Sequence, residues 1–298
     1  MRSAPALAAM LLLSPALAAP PDAAAYKAEI EAFHKQRDAS LRRDDGWLTL
    51  VGLSWIREGD NAVGSAPKSR VILPKGKAPE TLGVIKVEKG GVTFVAATNA
   101  AVTSNGKPVT TMTLKPDVSG APTHLSHGAL TFFVIRRGTR FGVRVRDREA
   151  ETLRSFKGVG SFPIDPTCRF VAKFEKHDPP KKVEVPNVLG KPETQDSPGA
   201  VVFTKDGKSY RLDALQSGSP RGELFLVFGD ETNAKETYGG GRFLTTPPPN
   251  KDGTVVVDFN KAINPPCVFT PYATCPLPLK QNRLALRVTA GEKSYGRR

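Results

Sequence analysis

The segment LTFFVIRRGTRFGVRV, residues 130–145, decides the fold class of this chain. β-Branched and aromatic residues fill its two runs, and Gly138-Thr139 between them is typical of a tight turn. In the second run Phe141, Val143 and Val145 share one face, because successive side chains of a strand point to opposite sides. The segment therefore predicts a β-hairpin with a buried apolar face.

The opposite face of the second strand carries Arg140, Arg144 and Arg146. Arginines on the outer face of an antiparallel strand are ordinarily exposed to water. A row of three is also suited to holding an anionic ligand, because each guanidinium can donate two parallel hydrogen bonds to a carboxylate or phosphate. The sequence leaves both interpretations open.

Similar strand and turn patterns continue along the chain. Asp206-Gly207 between two apolar runs is the strongest hairpin signal. Residues 22–43 are the exception, because Tyr26, Ile30, Phe33 and Leu41 fall at helical spacing behind a capping Asp22. We therefore expect a mainly β protein, built as a sandwich or as partly open barrel-like sheets, with one N-terminal α-helix after a signal peptide.

The pattern divides the chain into five parts, in which a helix precedes two β modules joined by a stretch rich in Pro, Lys and Asp. The parts are a signal peptide at 1–18, the N-terminal helix at 19–46, a first β module at 47–176, a linker or long excursion at 177–199, and a second β module at 200–298.

The first residues have the pattern of a secretory signal. Arg2 supplies a positive charge, residues 6–13 are apolar, and Ala16-Leu17-Ala18 fits the small-x-small cleavage site. The apolar run is well under the roughly 20 residues that a membrane span needs. We therefore expect a periplasmic or secreted protein with no transmembrane segment in the mature chain.

The formal net charge of +14 raises the question of an anionic partner. The Lys and Arg residues are spread along the chain, without the basic block and interleaved aromatic residues of a base-stacking surface. This distribution predicts no specific nucleic-acid binding. It predicts at most a peripheral attraction to an anionic envelope surface.

Named catalytic and cofactor motifs are missing from the sequence. It contains no Gly-x-Ser-x-Gly elbow, no His-Glu-x-x-His, no phosphate-binding loop and no dinucleotide fingerprint. His124 and His127 have a spacing seen in metal sites, but no neighbouring Cys or carboxylate completes a ligand set. We therefore predict neither a cofactor nor a metal site.

The three cysteines suggest a loop braced by a disulfide. Cys267 and Cys275 lie eight residues apart in a proline-rich segment, and in an exported protein such a pair is most simply a disulfide. Closing so short a loop would stabilise the fold by roughly 2–3 kcal/mol. Cys168 is left over and is expected to be a buried thiol.

Polar residues are dense on both sides of this loop, and they form the predicted site. Asp258 and Asp230 are candidate bases, and Tyr238 is a candidate acid or oxyanion donor. Some of the candidate ligand-binding residues have side chains that can bind an anion or a polar group. The others are glycines, whose missing side chain lets a ligand approach the backbone. These candidates are Arg242, Asn260, Asn264, Arg283, Glu292, Gly239, Gly240 and Gly241.

The layout of residues 64–135 resembles a forkhead-associated β-sandwich. The similarity lies in Gly64, in Val-Ile-Leu-Pro at 71–74, in Gly-Gly-Val at 90–92 and in Asn-Gly at 105–106. Ser65 stands where that family has an arginine, and residues 81–87 contain no counterpart of its phosphothreonine-binding Ser and His. The resemblance therefore bears on strand order and does not support phosphopeptide binding.

The C-terminal motifs resemble a bacterial family defined by domain of unknown function 1684. They are Tyr-Gly-Gly-Gly-Arg-Phe at 238–243, Asp-Phe-Asn at 258–260, Asn-Pro-Pro-Cys at 264–267, Asn-Arg-Leu at 282–284 and Ala-Gly-Glu-Lys at 290–293. Gly46-Trp47-Leu48 and Trp55 extend the similarity to the N-terminal half, while Cys168 and Ile263 replace aromatic residues of the family pattern. The resemblance implies no activity.

Three functions are compatible with these features. The first is binding of a small anionic or sugar-like ligand at a polar cleft near the Cys267–Cys275 loop. The second is an exported hydrolase or lyase that uses an Asp base, with Tyr and Arg stabilising negative charge. The third is a structural envelope protein whose polar motifs fasten β-loops together.

Overall fold

The computed structural model describes residues 22–217 and 221–296, so the predicted signal segment 1–18 lies outside the described residues. Helix α1, Ala23–Arg42, confirms the predicted N-terminal helix. The Asp22 carboxylate caps it by accepting the N–H groups of Ala24 and Ala25 at 2.8 and 3.0 Å. Its buried stripe contains three of the four predicted residues, namely Tyr26, Ile30 and Leu41.

Eleven strands form a sandwich of two sheets, which we call the first β module. They are β1 Leu50–Trp55, β2 Gly59–Gly64, β3 Val71–Ile72, β4 Gly83–Glu88, β5 Gly91–Ala96, β6 Thr103–Ser104, β7 Lys107–Pro108, β8 Thr111–Thr113, β9 His124–His127, β10 Leu130–Arg137 and β11 Arg140–Asp147. One sheet has the order β1-β11-β10-β9-β6-β7 and the other β3-β2-β4-β5-β8. Apolar side chains from both sheets meet in one core, where Phe94 packs edge-on against Phe132.

Strands β10 and β11 form the hairpin expected from residues 130–145. Val134 pairs with Val143, and Arg137 with Arg140 across the two-residue turn. The apolar face enters the sandwich core, where Val143 and Val145 are buried. On the opposite face only Arg144 is buried, where it contacts Thr274 of the second half of the chain; Arg146 is half-buried and Arg140 is exposed.

Six longer strands form the second sheet system, a curled half-barrel that we call the second β module. They are β12 Arg169–Val185, β13 Glu193–Lys205, β14 Lys208–Gln216, β15 Leu224–Phe228, β16 Arg242–Thr246 and β17 Thr254–Asp258. Their order is β16-β15-β14-β13-β12-β17, and the rings of Phe203, Phe228 and Phe259 pack against one another in the core. The Asp206-Gly207 turn joins β13 to β14 with both residues at positive φ, 51° and 74°, which confirms that hairpin.

Residues 177–199 do not form a linker in the structure. They belong largely to β12 and β13, which pair as the longest hairpin of the second module. The register shifts between Lys176 and Lys181, and Pro179 and Pro180 lie within that shift. Proline lacks an N–H group and is tolerated where pairing is interrupted, so the residues that suggested a linker occupy an irregularity of a strand.

Helix α1 packs on the second module, although the first module follows it in the chain. Leu41 shares a buried cluster with Phe156 and Phe269, which belong to the second half of the chain. Leu50, where the chain enters the sandwich, pairs with Arg146, where it leaves. The first module is thus inserted between α1 and the half-barrel, followed by the short helix α2, Glu151–Arg154.

Six short 3₁₀ helices complete the architecture: Trp47–Thr49, Asp117–Ser119, Pro166–Cys168, Phe259–Lys261, Pro266–Val268 and Lys280–Asn282. Mainly β sheets with one long helix confirm the predicted fold class. Within the described residues, no helix combines the length and apolar character needed to cross a membrane.

Candidate functional site

Asp230 and Arg242 form a completely buried ion pair. Asp230 follows β15 and Arg242 begins β16, and their side chains meet at 2.7 Å with no exposed surface. Arg242 also donates to the carbonyl oxygens of Val288, at 2.8 Å, and Ala290. Burial lowers the pKa of Arg242, and the Asp230 charge opposes that shift. This pair fastens the C-terminal segment to the half-barrel and offers no surface to a ligand.

Asp258 and Asn260 form a second internal network, at the end of β17. The Tyr26 hydroxyl of α1 lies 2.9 and 3.0 Å from the two Asp258 carboxylate oxygens. The Asn260 amide donates to the Asp165 carbonyl oxygen at 2.8 Å and accepts the Asp165 N–H at 2.9 Å. These contacts attach α1 and the loop at Asp165 to the half-barrel.

Asn264 and Glu292 form a third network with α1. Glu292 accepts the Arg37 guanidinium at 3.1 Å and the Asn264 N–H at 2.6 Å. Asn264 in turn donates to the Lys293 carbonyl oxygen at 2.7 Å. Burial raises the pKa of Glu292, and the neighbouring Arg37 opposes this rise. Here too the predicted ligand-binding residues hold segments of the protein together.

The glycine triplet before Arg242 is required by packing. Gly241 has φ +90°, and a Cβ added there would lie 2.5 Å from the Phe228 carbonyl oxygen and 2.6 Å from Pro278 Cγ. A Cβ on Gly240 would meet the Tyr238 ring at 2.4 Å, whereas one on Gly239 would make an ordinary contact. Close packing within the chain thus explains why two of these three positions are glycine.

Arg283 lies apart from these networks. It is exposed at the end of the 3₁₀ helix that precedes it, and its backbone bridges to Gly229. Its neighbour Asn282 is buried and donates to the carbonyl oxygens of Val227 and Asp213 at 3.0 and 2.9 Å. The predicted site residues therefore form separate groups, and only Asp258 lines the cavity of about 460 Å³ between β16 and β17.

The predicted disulfide between Cys267 and Cys275 is wrong for this structure, in which both are free cysteines. The loop closes instead through a backbone hydrogen bond, in which the Cys267 N–H donates to Cys275 Sγ at 3.2 Å. Cys267 Sγ lies 3.6 Å from the Tyr238 hydroxyl oxygen. The short 3₁₀ helix at Pro266–Val268 thus places a backbone amide, and no sulfur at bonding distance, against Cys275.

Cys168 is a buried thiol, as predicted. It is 5% exposed, and its sulfur lies 3.5 Å from an Asp165 carboxylate oxygen. Burial and then the Asp165 charge raise its pKa to about 11. At neutral pH this thiol is protonated and shielded from solvent.

On the arginine face of β11, each guanidinium group lies over an aromatic ring. Arg140 lies over the Trp55 ring at 4.2 Å, Arg144 over Trp47 at 5.2 Å and Arg146 over Phe133 at 5.5 Å. The attraction between a cation and an aromatic face holds each group in place without neutralising its charge.

Arg144 is the most deeply buried of these three arginines. It is 6% exposed, and burial followed by repulsion from Arg137 lowers its pKa to about 10. It makes no ion pair with any carboxylate of residues 22–217 and 221–296, although the charge of Asp117, which is paired with Arg137, acts on it, and its Nε has no hydrogen-bond partner there. A buried charge that is only partly compensated is unfavourable, so this guanidinium is a candidate for binding an anion.

Two arginines converge on the cysteine loop. Arg144 Nη2 and Arg137 Nε both donate to the Thr274 hydroxyl, at 3.3 and 3.2 Å. Arg137 also pairs with Asp117 at 2.8 Å, which leaves one positive charge in excess. We call this group the interface site; its residues are Arg137, Arg144, Tyr238, Cys267, Thr274 and Cys275.

Open space adjoins the interface site at Arg137. A cavity of about 200 Å³ lies between the turn of the β10–β11 hairpin and the turn of the β12–β13 hairpin. Arg137, Arg140, Trp55 and Lys191 line it, together with Glu193. Three basic side chains against one acidic side chain give the cavity an anion-attracting wall.

The sequence indicated anion binding by Arg144 as one of two open interpretations of its strand face. It did not indicate that Arg137 and Thr274 belong to the same site. The signal for Thr274 was its position beside Cys275 in the proline-rich loop, but nothing in the sequence pairs it with β10 and β11. No group of three or more His, Cys, Asp or Glu side chains suited to a metal ion occurs in the described part of the chain.

Comparisons with known proteins give the family. No curated protein matches the chain significantly. An uncharacterized protein of Haloarcula marismortui, solved by NMR in solution, is 31% identical over 47% of this chain and 78% of its own, with a TM-score of 0.40. An FHA domain from an analysis of phosphothreonine-dependent FHA domain interactions is 18% identical over 33% of this chain and 96% of its own, with a TM-score of 0.23.

The FhaA FHA domain, crystallised with the intracellular domain of another protein, is 16% identical over 31% of this chain and 96% of its own, with a TM-score of 0.22. The family model described as "Protein of unknown function (DUF1684)" matches residues 154–293, which hold the half-barrel, the glycine triplet and the cysteine loop. The chain belongs to this family, DUF1684.

Proposed function

We propose that this protein is an exported binder of a small anionic ligand and that the ligand is held at the interface site. The observation that carries the proposal is the Arg144 guanidinium, which is 6% exposed and has an unpartnered Nε. Retaining such a charge inside a protein costs stability unless an anion compensates it. The export component rests on the signal-like sequence of residues 1–18.

The geometry favours an anion over a neutral sugar. Arg137 and Arg144 converge on one hydroxyl with a single carboxylate, Asp117, beside them. A ligand with one or two negative charges restores neutrality and can accept charge-assisted hydrogen bonds. The adjoining cavity of about 200 Å³ has room for a small molecule.

The hydrolase or lyase alternative receives less support. Asp230 is bound to Arg242 without exposed side-chain surface, and Asp258 lines the cavity of about 460 Å³ but is 5% exposed and held by Tyr26 and Asn260, so neither carboxylate is free to act as a base. The alternative of a structural envelope protein accounts for these internal networks but leaves the Arg144 charge unexplained.

The test compares thermal unfolding in the presence of phosphate, sulfate, citrate and glucuronate with unfolding in chloride of equal ionic strength. Glucose serves as the neutral sugar. A bound anion stabilises the folded state by about 2.7 kcal/mol at one hundred times its Kd. We expect at least one of the four anions, and not glucose, to raise the Tm of the wild-type protein.

The decisive variant is Arg144→Met, with Arg70→Met as its control because Arg70 is an exposed arginine of the same module. We expect Arg144→Met to abolish the anion response while the ligand-free Tm stays equal or rises, since replacing an uncompensated buried ion by an apolar side chain is often stabilising. Arg70→Met should respond like the wild type. An anion response that survives in Arg144→Met, or its absence in the wild type, would refute the proposal.

A further inference from the structure

Cys267 is the partly exposed thiol of the interface site. The other two cysteines are buried, at 4% exposure for Cys275 and 5% for Cys168. Cys267 Sγ lies 3.6 Å from the Tyr238 hydroxyl oxygen and belongs to the same loop as Thr274, on which the two arginines converge. A partly exposed thiol in contact with a hydroxyl group, in a loop that two arginines contact, is a candidate reactive cysteine.

The groups that face this sulfur favour its thiolate form. The interaction with Cys275 lowers the pKa of Cys267, burial opposes this shift, and the contact with the Tyr238 hydroxyl lowers the pKa further. The pKa of Cys275 is raised by Cys267 and by burial and is lowered by Arg144. The remaining neighbours in this cluster are apolar, among them Trp47, Phe225 and Ile263.

We propose that Cys267 is the nucleophile of the interface site and that its substrate is a small electrophile carrying a negative charge. The first half rests on the partial exposure of the thiol and on its contact with Tyr238, and the second half rests on the proposed anion binding by Arg144. In the reaction the thiol first loses its proton to solvent. The thiolate sulfur then forms a bond to the electrophilic carbon, and the leaving group departs with the electron pair of the broken bond.

Arg144 supplies an independent indication of a ligand here. Its guanidinium is more than nine-tenths buried, it has an unpartnered Nε, and it donates to Thr274 directly beside Cys275. A negatively charged group held by Arg144 would place the rest of a small molecule near the Cys267 sulfur.

The test is alkylation of the full-length protein, kept in a phosphine reductant, with iodoacetate and with iodoacetamide. These reagents are matched in shape and differ in charge, and both release iodide as the new S–C bond forms. Fragment-ion mass spectrometry separates Cys267 from Cys275, and Cys168 is an internal control for a buried thiol. We expect Cys267 to react at pH 7 about tenfold faster than Cys168, with iodoacetate faster than iodoacetamide.

Two variants separate the two halves of the inference. Arg144→Met should remove the preference for iodoacetate while iodoacetamide still reacts at Cys267. Tyr238→Phe should shift the pH midpoint of the iodoacetamide reaction upward and leave the charge preference intact. Arg70→Met should match the wild type in both respects.

The outcomes are distinguishable. Rapid reaction of Cys267 with iodoacetamide but no preference for iodoacetate would overturn the anionic substrate, together with the proposed anion binding, and retain the nucleophile. A Cys267 that reacts no faster than Cys168 would overturn the nucleophile, even if anions still raise the Tm through Arg144.

Discussion

The Tyr26 hydroxyl lies 2.9 and 3.0 Å from the two carboxylate oxygens of Asp258, although the two residues are 232 positions apart in the chain. Tyr26 is 2% and Asp258 5% exposed, so water does not replace this contact. It attaches the N-terminal helix to an edge strand of the half-barrel.

Replacing Tyr26 by Phe should therefore destabilise the protein. Asp258 would lose a buried donor, and leaving a buried acceptor unsatisfied costs about 1–3 kcal/mol. Urea denaturation measures the free energy of unfolding. Tyr210→Phe is the control, because Tyr210 lies at the partly exposed edge of the same core and its hydroxyl has no hydrogen-bond partner within the described ranges. Equal changes in the two variants would contradict the prediction.

The same contact predicts a pH dependence. Burial and then the Asp258 charge raise the pKa of Tyr26 above its ordinary value near 10. A group whose pKa is higher in the folded than in the unfolded state stabilises fully below the unfolded value, and this contribution is lost as pH rises through the folded value. The advantage of the wild type over Tyr26→Phe should thus hold at neutral pH and shrink above about pH 10. A difference that stays constant into the alkaline range would argue against the buried contact.

Replacing only one residue of the Asp230–Arg242 pair should strongly destabilise the folded protein. Arg242→Met leaves a buried carboxylate without its partner, which costs roughly 3–5 kcal/mol. The double variant Asp230→Asn with Arg242→Met should cost less than the two single changes combined, because no uncompensated charge remains. Arg154→Met breaks an exposed pair with Glu151 and should change the urea midpoint little. Full additivity of the two changes would show that the pair is not coupled.

The glycine triplet provides a matched comparison within three residues. Gly241→Ala forces a Cβ to within 2.5 Å of the Phe228 carbonyl oxygen at φ +90°, so we expect a loss of at least about 1–3 kcal/mol. Gly239→Ala places its Cβ 3.4 Å from Ala234 and should stay within about 0.5 kcal/mol of the wild type. If both were equally tolerated, the triplet would have a role other than packing.

The parts of the fold that depend on local pattern were predictable from the sequence. Apolar spacing behind Asp22 identified α1, and the Gly138-Thr139 and Asp206-Gly207 turns identified two hairpins. The β12–β13 hairpin was misread as a linker, because Pro179 and Pro180 argue against a strand unless the register shift that accommodates them is known.

The candidate site was less predictable, because its contacts join distant segments. Arg37 and Glu292 meet across 255 positions, and no local pattern indicates that pairing. Arg242 was expected to hold an anion because its residue type suits that role. Its complete burial is a tertiary property, and so is the absence of an ion pair at Arg144 among the described residues.

The pairing of Leu50 with Arg146 has a consequence for how such a protein can change over generations. The inserted sandwich begins and ends at neighbouring positions, so a recombination event that removes or exchanges it leaves the half-barrel continuous. Arg137 and Arg144 would depart with the sandwich, whereas Cys267, Thr274 and Cys275 would remain. A descendant that acquires a different insert would keep the Cys267 thiol beside a different set of charged residues. Its ligand could therefore change in one genetic step.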